Sequence, residues 1–432
     1  MAKITPIEAV LEGKEKEGDD VTVRGWIHRT RSSGGVAFVV IRDSTGQIQT
    51  TVKKNAVHEK HFEDCTKALV ESAVIVKGKV KKDERAPGGW ELQATEFDVL
   101  HFSEIFPISK DKSTEFLLDV RHLWLRSREL TAVMKIKATV LEGFREFFKS
   151  KGYWETTPPV IQSSACEGGS TLFGFDYFGK KAYLSQSAQM HLEALIYSLE
   201  KVYGITPSFR AEKSRTLKHL AEYWHVEGEE AHQTFEELLV FLEEMISFVC
   251  NKVAVERKKE LEVLGRDYKD LLKVKPAFPR VTYKQALEKL NKKGRKLKWG
   301  DDFGTEDEEL LTADLEKPLI ITNFPKDAKA FYMKENEDGE TVNAVDILAP
   351  KGFGEIVGGS ERETDVNVLI RKLKKEKADL KAYEWYLDLR RYGSVQHSGF
   401  GLGTERLVRW ICGLEHIRDA IPFPRVINRA YP

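Results

Sequence analysis

The sequence predicts an α+β protein built from two domains, and three observations support this. The chain has 432 residues, more than one small core would organise. Its first 103 residues read as short alternating strands with one helix among them. The remainder mixes long amphipathic helices with strands that end in polar, glycine-rich loops. Hydrophobic residues at 41% and charged residues at 31% describe an ordinary, charge-rich globular chain, and the formal net charge of zero means that any site for a polyanion must be local.

In the N-terminal part, Val21–His28, Val36–Arg42, Ile48–Val52, Ser72–Lys79 and Trp90–His101 alternate as strands, and Val57–Leu69 has helical spacing. A turn is expected at Asp43–Gly46. Several short strands with one inserted helix suggest a small Greek-key barrel of the OB kind, which would bind single-stranded nucleic acid on a face carrying Arg24, Arg29, Arg31, Phe38 and Gln49. Phe38 reads equally well as barrel core. Residues 104–128 are expected to form a linker, leaving 129–432 as the second domain.

In the second domain, Leu130–Lys151 carries Val133, Ile136, Val140, Phe144 and Phe148 on one helical stripe, fit for an interface or for burial within one chain. An extended Glu155–Gln162 follows. Tyr183–Gln189 begins as a strand and becomes a Ser/Gln loop, and Met190–Leu199 returns to helical spacing. The strongest local signal is a hairpin over Pro207–Ala231 whose open end is crowded with Arg210, Lys213, Arg215, Lys218 and His219. It suits a polyanion bearing a heterocycle, such as a nucleoside triphosphate, or is a solvated charged tip. Thr234–Leu264 reads as one helix, Tyr283–Leu290 as another, and Lys329–Met333, Val342–Leu348 and Phe353–Val357 as strands. Glu355, then glycines, then Arg362 offer a hard-cation ligand and a two-pronged donor, or a glycine turn with solvated charges. Gly399–Gly403 alternates glycines before a helix starting near Thr404, with Arg406 in its first turn as an anion site. No Rossmann or Walker pattern surrounds it.

Cys65, Cys166, Cys250 and Cys412 form no CxxC pair, which argues against structural zinc and for a reducing compartment. The N-terminus lacks an apolar signal core, and no run of about 18 apolar residues occurs. The expectation is a cytoplasmic protein without a membrane span.

Three of these segments, Pro159 after the long helix, Arg210–Glu212 opening the hairpin, and Gly401-Leu-Gly-Thr-Glu-Arg406, resemble in order and spacing the three motifs of class II aminoacyl-tRNA synthetases. Leu117–Arg126 (LLDVRHLWLR) after a barrel is similar to the aspartyl, asparaginyl and lysyl subgroup. Glu355–Arg362 (EIVGGSER) and Tyr183–Gln189 (YLSQSAQ) resemble its asparaginyl branch of the compact archaeal type. The resemblance implies a six-stranded antiparallel sheet flanked by helices, a homodimer paired through the first motif, and two steps: asparagine and ATP give asparaginyl-adenylate, then tRNA(Asn) takes the acyl group.

The resemblance also implies roles. Arg210 would bridge the amino-acid carboxylate and the α-phosphate, and Glu212 would accept from the adenine amino group. His219 and Arg406 would hold the outer phosphates and Tyr223 would stack on adenine, with Leu220, Gly403 and Glu405 completing the ATP site. Glu355 and Asp346 would ligate Mg²⁺, although Gly358 stands where aspartyl relatives often have Ser. Glu167, Ser187 and Gln189 would frame the amino-acid pocket, Glu167 and Gln189 holding the ammonium. Glu227 and Arg362 would meet the side chain. Arg31, Phe38 and Gln49 would grip the anticodon. Leu192 occupies the position of a lysine that pairs with the substrate carboxylate in aspartyl enzymes, which favours an amide, unless Leu192 is merely helix core. An aspartyl enzyme charging both tRNAs, an amidoligase making free asparagine, and a non-catalytic tRNA-binding protein are the alternatives.

Overall fold

The computed structural model describes residues 3–109, 111–163, 171–212 and 217–432. It divides into two compact units at Thr114/Glu115.

The first unit is a closed barrel in the order β1-β2-β3-β5-β4, formed by β1 (Asp20–Ser33), β2 (Val36–Arg42), β3 (Gln47–Lys53), β4 (Ala73–Lys82) and β5 (Trp90–His101). Strict alternation drives it: Ala37, Val39 and Ile41 of β2 point inward to meet Val23, Ile48, Val76 and Leu92, while Phe38, Val40 and Arg42 point outward. Phe38 is therefore surface and not core. A short helix α1 (Ile7–Leu11), not foreseen, seals one end with Ile7 and Val10, and helix α2 (Glu59–Lys67) buries Cys65. Asp43 explains the expected turn: its Oδ1 accepts from the Thr45 and Gly46 amides at 2.7 and 2.9 Å, and its Oδ2 accepts from Ile7 N–H at 2.9 Å.

The second unit begins with α3 (Thr114–Asp119) and α4 (Arg121–Trp124). The expected linker to residue 128 is corrected here. The Arg121 guanidinium is fully buried and donates to the carbonyls of Pro422, Ile421 and Arg418 and to Asp419 at 2.9 to 3.2 Å, which binds this segment to the C-terminal region.

The remaining helices are α5 (Arg128–Ser150), α6 (Gln189–Leu199), α7 (Phe235–Glu256), α8 (Lys258–Val263), α9 (Tyr268–Leu272), α10 (Tyr283–Lys292), α11 (Thr305–Thr312), α12 (Val366–Lys375), α13 (Glu384–Arg391) and α14 (Thr404–Cys412). The strands are β6 (Trp154–Glu155), β7 (Ile161–Gln162), β8 (Gly174–Tyr177), β9 (Lys180–Leu184), β10 (Lys201–Phe209), β11 (Glu222–Ala231), β12 (Arg280–Thr282), β13 (Leu319–Pro325), β14 (Thr341–Ala349), β15 (Gly354–Glu361) and β16 (His397–Gly403).

The main sheet runs β12-β13-β14-β15-β16-β11-β10-β6. Its six central strands are antiparallel, as expected, and β12 and β6 add parallel edges. Both faces are covered. Ile320, Val345 and Ile347 meet α5, α7 and α14 through Phe144, Phe148, Leu242, Ile246 and Leu407. Leu319, Ile321 and Ala344 meet α10, α12 and α13 through Tyr283, Leu369 and Tyr386.

Two secondary-structure expectations change. Thr234–Leu264 breaks at Arg257 (φ −121°), whose Nε donates to Thr139 on α5 at 2.6 Å. Lys329–Met333 is not a strand, because Phe331 and Tyr332 are both buried under α12 and α13, and the strand lies earlier, at β13.

Candidate active site

The cleft lies where the open end of the β10–β11 hairpin faces β15, the end of β16 and the start of α14. Arg210, Lys218, His219, Leu220, Tyr223, His225, Glu355, Gly401, Gly403, Glu405 and Arg406 line it. Eight of the nine residues expected at ATP are among them. The ninth, Glu212, stands 3.8 Å from Arg210 and 3.9 Å from His219. Arg210, Glu212 and His219 keep about a third of their side chains exposed. Burial, and then the charges of Arg406 and Arg210, hold the His219 imidazole below its usual range. Leu220 packs on Ile417 and Ile421, which anchors the returning strand. Arg406 reaches Glu355 at 3.1 Å, and Lys218 reaches Glu308 at 2.8 Å. Glu405 lines the cleft with its carboxylate already used: one oxygen accepts from Lys137 Nζ and the other from Trp224 N–H at 2.9 Å. These bonds anchor α14 at the wall of the cleft.

Strand register builds the inner wall. His225, Glu227 and Glu229 share one face of β11 and oppose Gly403, Gly401 and Gly399 of β16. A Cβ on Gly401 would stand 2.6 Å from His225 Nε2, and one on Gly399 would stand 2.1 Å from the Glu229 carboxyl. The alternating glycines thus make room for side chains of the neighbouring strand.

Over this floor Glu229 forms a fork with Arg362, Oε1 to NH2 at 2.5 Å and Oε2 to Nε at 3.2 Å, and Arg362 NH1 donates to Ser360 at 2.7 Å. Both residues are almost wholly buried. Burial pushes the Glu229 carboxyl up, with Arg362 opposing; burial would lower Arg362, and Glu229 more than reverses that. Both Glu229 oxygens accept from a guanidinium that stays protonated, which is the geometry of an ion pair. Sequence reasoning missed Glu229 and His225; their period-two spacing with Glu227 on a buried strand was the available signal.

Around this wall the residues of α6 and the segment before it are tied together. Glu227 accepts from Ser187 Oγ and from Ala188 N–H at 2.8 Å, so it fastens the start of α6 and lies 3.4 Å from His225. Gln189 Nε2 donates to Glu193 at 3.0 Å. Leu192 is fully enclosed with Ala188, Ile196, Val202 and Ala231, so it is helix core and not a neighbour of a substrate side chain. Gln186, also missed, is buried with its Oε1 unpartnered among the described residues. Glu167 lies outside the described residues, as does Cys166.

The two carboxylates expected at a metal converge: Glu355 Oε1 and Asp346 Oδ1 lie 3.6 and 3.8 Å from the point that a Cβ on Gly358 would occupy. Burial raises Asp346 to about 6, with Lys329 opposing and Glu355 adding to the rise. Arg406, Lys329 and Arg210 hold Glu355 low against the same burial. Asp346 is also engaged by Lys329 at 2.7 and 2.9 Å. Among the described residues no cluster of three metal-ligating side chains exists. The pair fits an ion that takes one or two carboxylates and completes its shell from phosphate and water.

On the barrel, Arg31 Cζ lies 4.8 Å from the Phe38 ring centre, and Gln49 approaches Glu91 at 3.3 Å. Trp26, 45% exposed, adds an aromatic that the sequence reading did not single out.

A family model described as tRNA synthetases class II (D, K and N) matches residues 113–427, and one described as OB-fold nucleic acid binding domain matches residues 21–100. The chain belongs to the class II aminoacyl-tRNA synthetases of that group. It is 48% identical to an asparagine–tRNA ligase of Thermoplasma acidophilum, over 98% of this chain and 99% of that one, and 48% identical to that of Pyrococcus furiosus over 97% of each. A crystal structure of asparaginyl-tRNA synthetase from Pyrococcus horikoshii complexed with asparaginyl-adenylate superposes with a TM-score of 0.96 at 46% identity, covering all of both chains. Within the group, then, the chain is a member of the asparagine–tRNA ligase family.

Proposed function

We propose that the protein ligates L-asparagine to tRNA(Asn) in two steps, with ATP consumed to form asparaginyl-adenylate. The observation that carries the reading is the placement of two unlike groups along one strand pair: partly exposed Arg210, His219 and Arg406 in the cleft that His225 also lines, and, farther along β11 on the same face, the buried Glu229–Arg362 pair. The first suits a triphosphate, and the second suits a neutral carboxamide.

Arg210 bridges the asparagine carboxylate and the α-phosphate, so the two meet in line and the developing charge is met by a fixed guanidinium. His219 and Arg406 hold the outer phosphates. Glu212 accepts from the adenine amino group, and Tyr223 stacks on the ring. Gln189 takes the substrate ammonium, with Glu167 and Ser187 beside it. Arg362 donates to the side-chain oxygen. Glu355, with Asp346, would hold Mg²⁺, which would supply charge neutralisation at the phosphates.

Arg31, Phe38 and Gln49 contact the anticodon, Phe38 by stacking. The protein acts as a homodimer through the segment around Pro159, a reading supported by the exposed Trp154 and Ile161 beside it. It works in the cytoplasm, in keeping with the free thiols of Cys65, Cys250 and Cys412. No described helix is long and apolar enough to cross a membrane.

ATP–pyrophosphate exchange with asparagine and with aspartate, followed by tRNA charging, tests the proposal. Exchange with asparagine alone supports it. Exchange with aspartate alone overturns the amino acid, and no exchange with either overturns the activity.

A further inference from the structure

Behind the amino-acid pocket lies a fully buried polar hub that the proposed chemistry does not use. Glu193 on α6 has no exposed surface. Its Oε2 accepts from Arg390 NH2 and Tyr386 Oη (2.8 Å) and stands 3.0 Å from His397 Nε2. Its Oε1 accepts from Gln189 Nε2 at 3.0 Å. The groups around it come from α6, α13 and β16, so the carboxylate is held from several sides. Although burial opposes it, Arg390, His397 and Arg362 hold the Glu193 carboxyl well below the usual range. The group is therefore an anion with acceptors only.

That fixes the polarity of its neighbour. A primary amide has a donor end and an acceptor end, and beside an anionic acceptor only the NH₂ end is stable. Gln189 must turn its nitrogen inward, which sends its carbonyl oxygen the other way. Its backbone is fixed too, Gln189 N–H donating to Ser187 Oγ at 3.1 Å.

We propose that Glu193 is a positioning residue for asparagine binding: by accepting from the Gln189 amide nitrogen, it aims that residue's carbonyl at the substrate ammonium. A neutral amide at position 193 removes the bias, and a Gln189 that turns over presents NH₂ to a cation. The inference rests on the reading of Gln189 as the ammonium's partner.

The test uses the full-length protein and ATP–pyrophosphate exchange with asparagine varied. Glu193→Gln raises the KM for asparagine about tenfold or more, with the KM for ATP within about threefold of wild type. The exchanged pair, Glu193→Gln with Gln189→Glu, restores an acceptor facing the substrate and brings the KM for asparagine back to within about threefold. Tyr386→Phe, which removes one bond to the same carboxylate and keeps its charge, leaves it within about threefold as well. A general loosening of the fold would raise both KM values together and would not be rescued by the exchange; either result overturns the inference. Gln189→Ala separates the inference from its premise. An unchanged KM for asparagine removes both, whereas a raised KM with Glu193→Gln silent removes the positioning role alone. Should Glu193→Gln prove insoluble, the exchanged pair decides by itself: near-wild-type KM supports the role, and lost asparagine binding overturns it.

Discussion

In the cleft at the hairpin Arg210 and His219 keep about a third of their side chains exposed, whereas beside α6 Arg362, Glu229, Glu193 and Arg390 are buried and tightly paired. The difference follows from what each end receives. A triphosphate brings its own charge, so cations waiting for it can keep water as a partner. A carboxamide brings none, so charges that shape its pocket must neutralise one another before it arrives.

This contrast can be broken or sharpened by substitution. The largest expected effect is at the open end: Arg210→Ala lowers asparagine-dependent pyrophosphate exchange by about 10³-fold, while urea unfolding moves by only about 0.5 kcal/mol. A large stability loss there would erase the distinction.

At the closed end Arg362→Met leaves Glu229 buried without its partner and costs about 3–5 kcal/mol in urea unfolding. The cost depends on pH in a defined direction. With Arg362 gone nothing in the fork opposes the burial that raises the Glu229 carboxyl, so the variant's folded state keeps the proton to higher pH than its unfolded chain does and loses further stability as pH rises through and beyond the usual carboxylate range. Adding Glu229→Gln recovers most of the loss; a double variant no more stable than the single would show that the pair is not a unit.

Leu192→Lys places an ammonium in an aliphatic cluster, for an expected loss of about 3 kcal/mol by thermal or urea unfolding, without any gain of aspartate-dependent exchange. New aspartate activation would return Leu192 to the pocket.

The smallest effect is at His219. Its imidazole is held below the usual range, so it is uncharged at neutral pH in the free protein. Phosphates favour the charged form, so ATP binding draws in a proton and this residue's contribution grows as pH falls from 8 toward 6. His219→Asn flattens that part of the pH dependence of the KM for ATP, by about threefold to tenfold across the range. Parallel profiles would mean that His219 does not meet the phosphates.

Much of this was legible in the residues, and the boundary is instructive. The barrel strands were readable because each has one wet face, so Phe38 and Arg31 differ from Val39 and Ile41 by parity alone. Parity left it open whether Phe38 faces in or out, and barrel closure settled that. The hairpin and the helix start at Thr404 were readable because Arg210 and Arg406 sit at the ends of elements, where polar residues stand out.

What Leu192 and Glu405 touch was not legible, for a shared reason. Spacing along α6 and α14 brings both near the cleft, but helical phase turns Leu192 toward Val202 and commits Glu405 to Lys137 and Trp224. Asparagine as the amino acid is supported by the relatives, not by the Leu192 argument.

The sequence alone determined the barrel, through local periodicity, and the family, through short motifs whose resemblance implied the six antiparallel strands. Only the tertiary structure decided which carboxylates are already spoken for. Glu229 and Arg362 are 133 positions apart, and no local pattern reports their fork. It exists because β11 pairs with β16 in a register that sets Glu229 over Gly399, where a side chain would have closed the space.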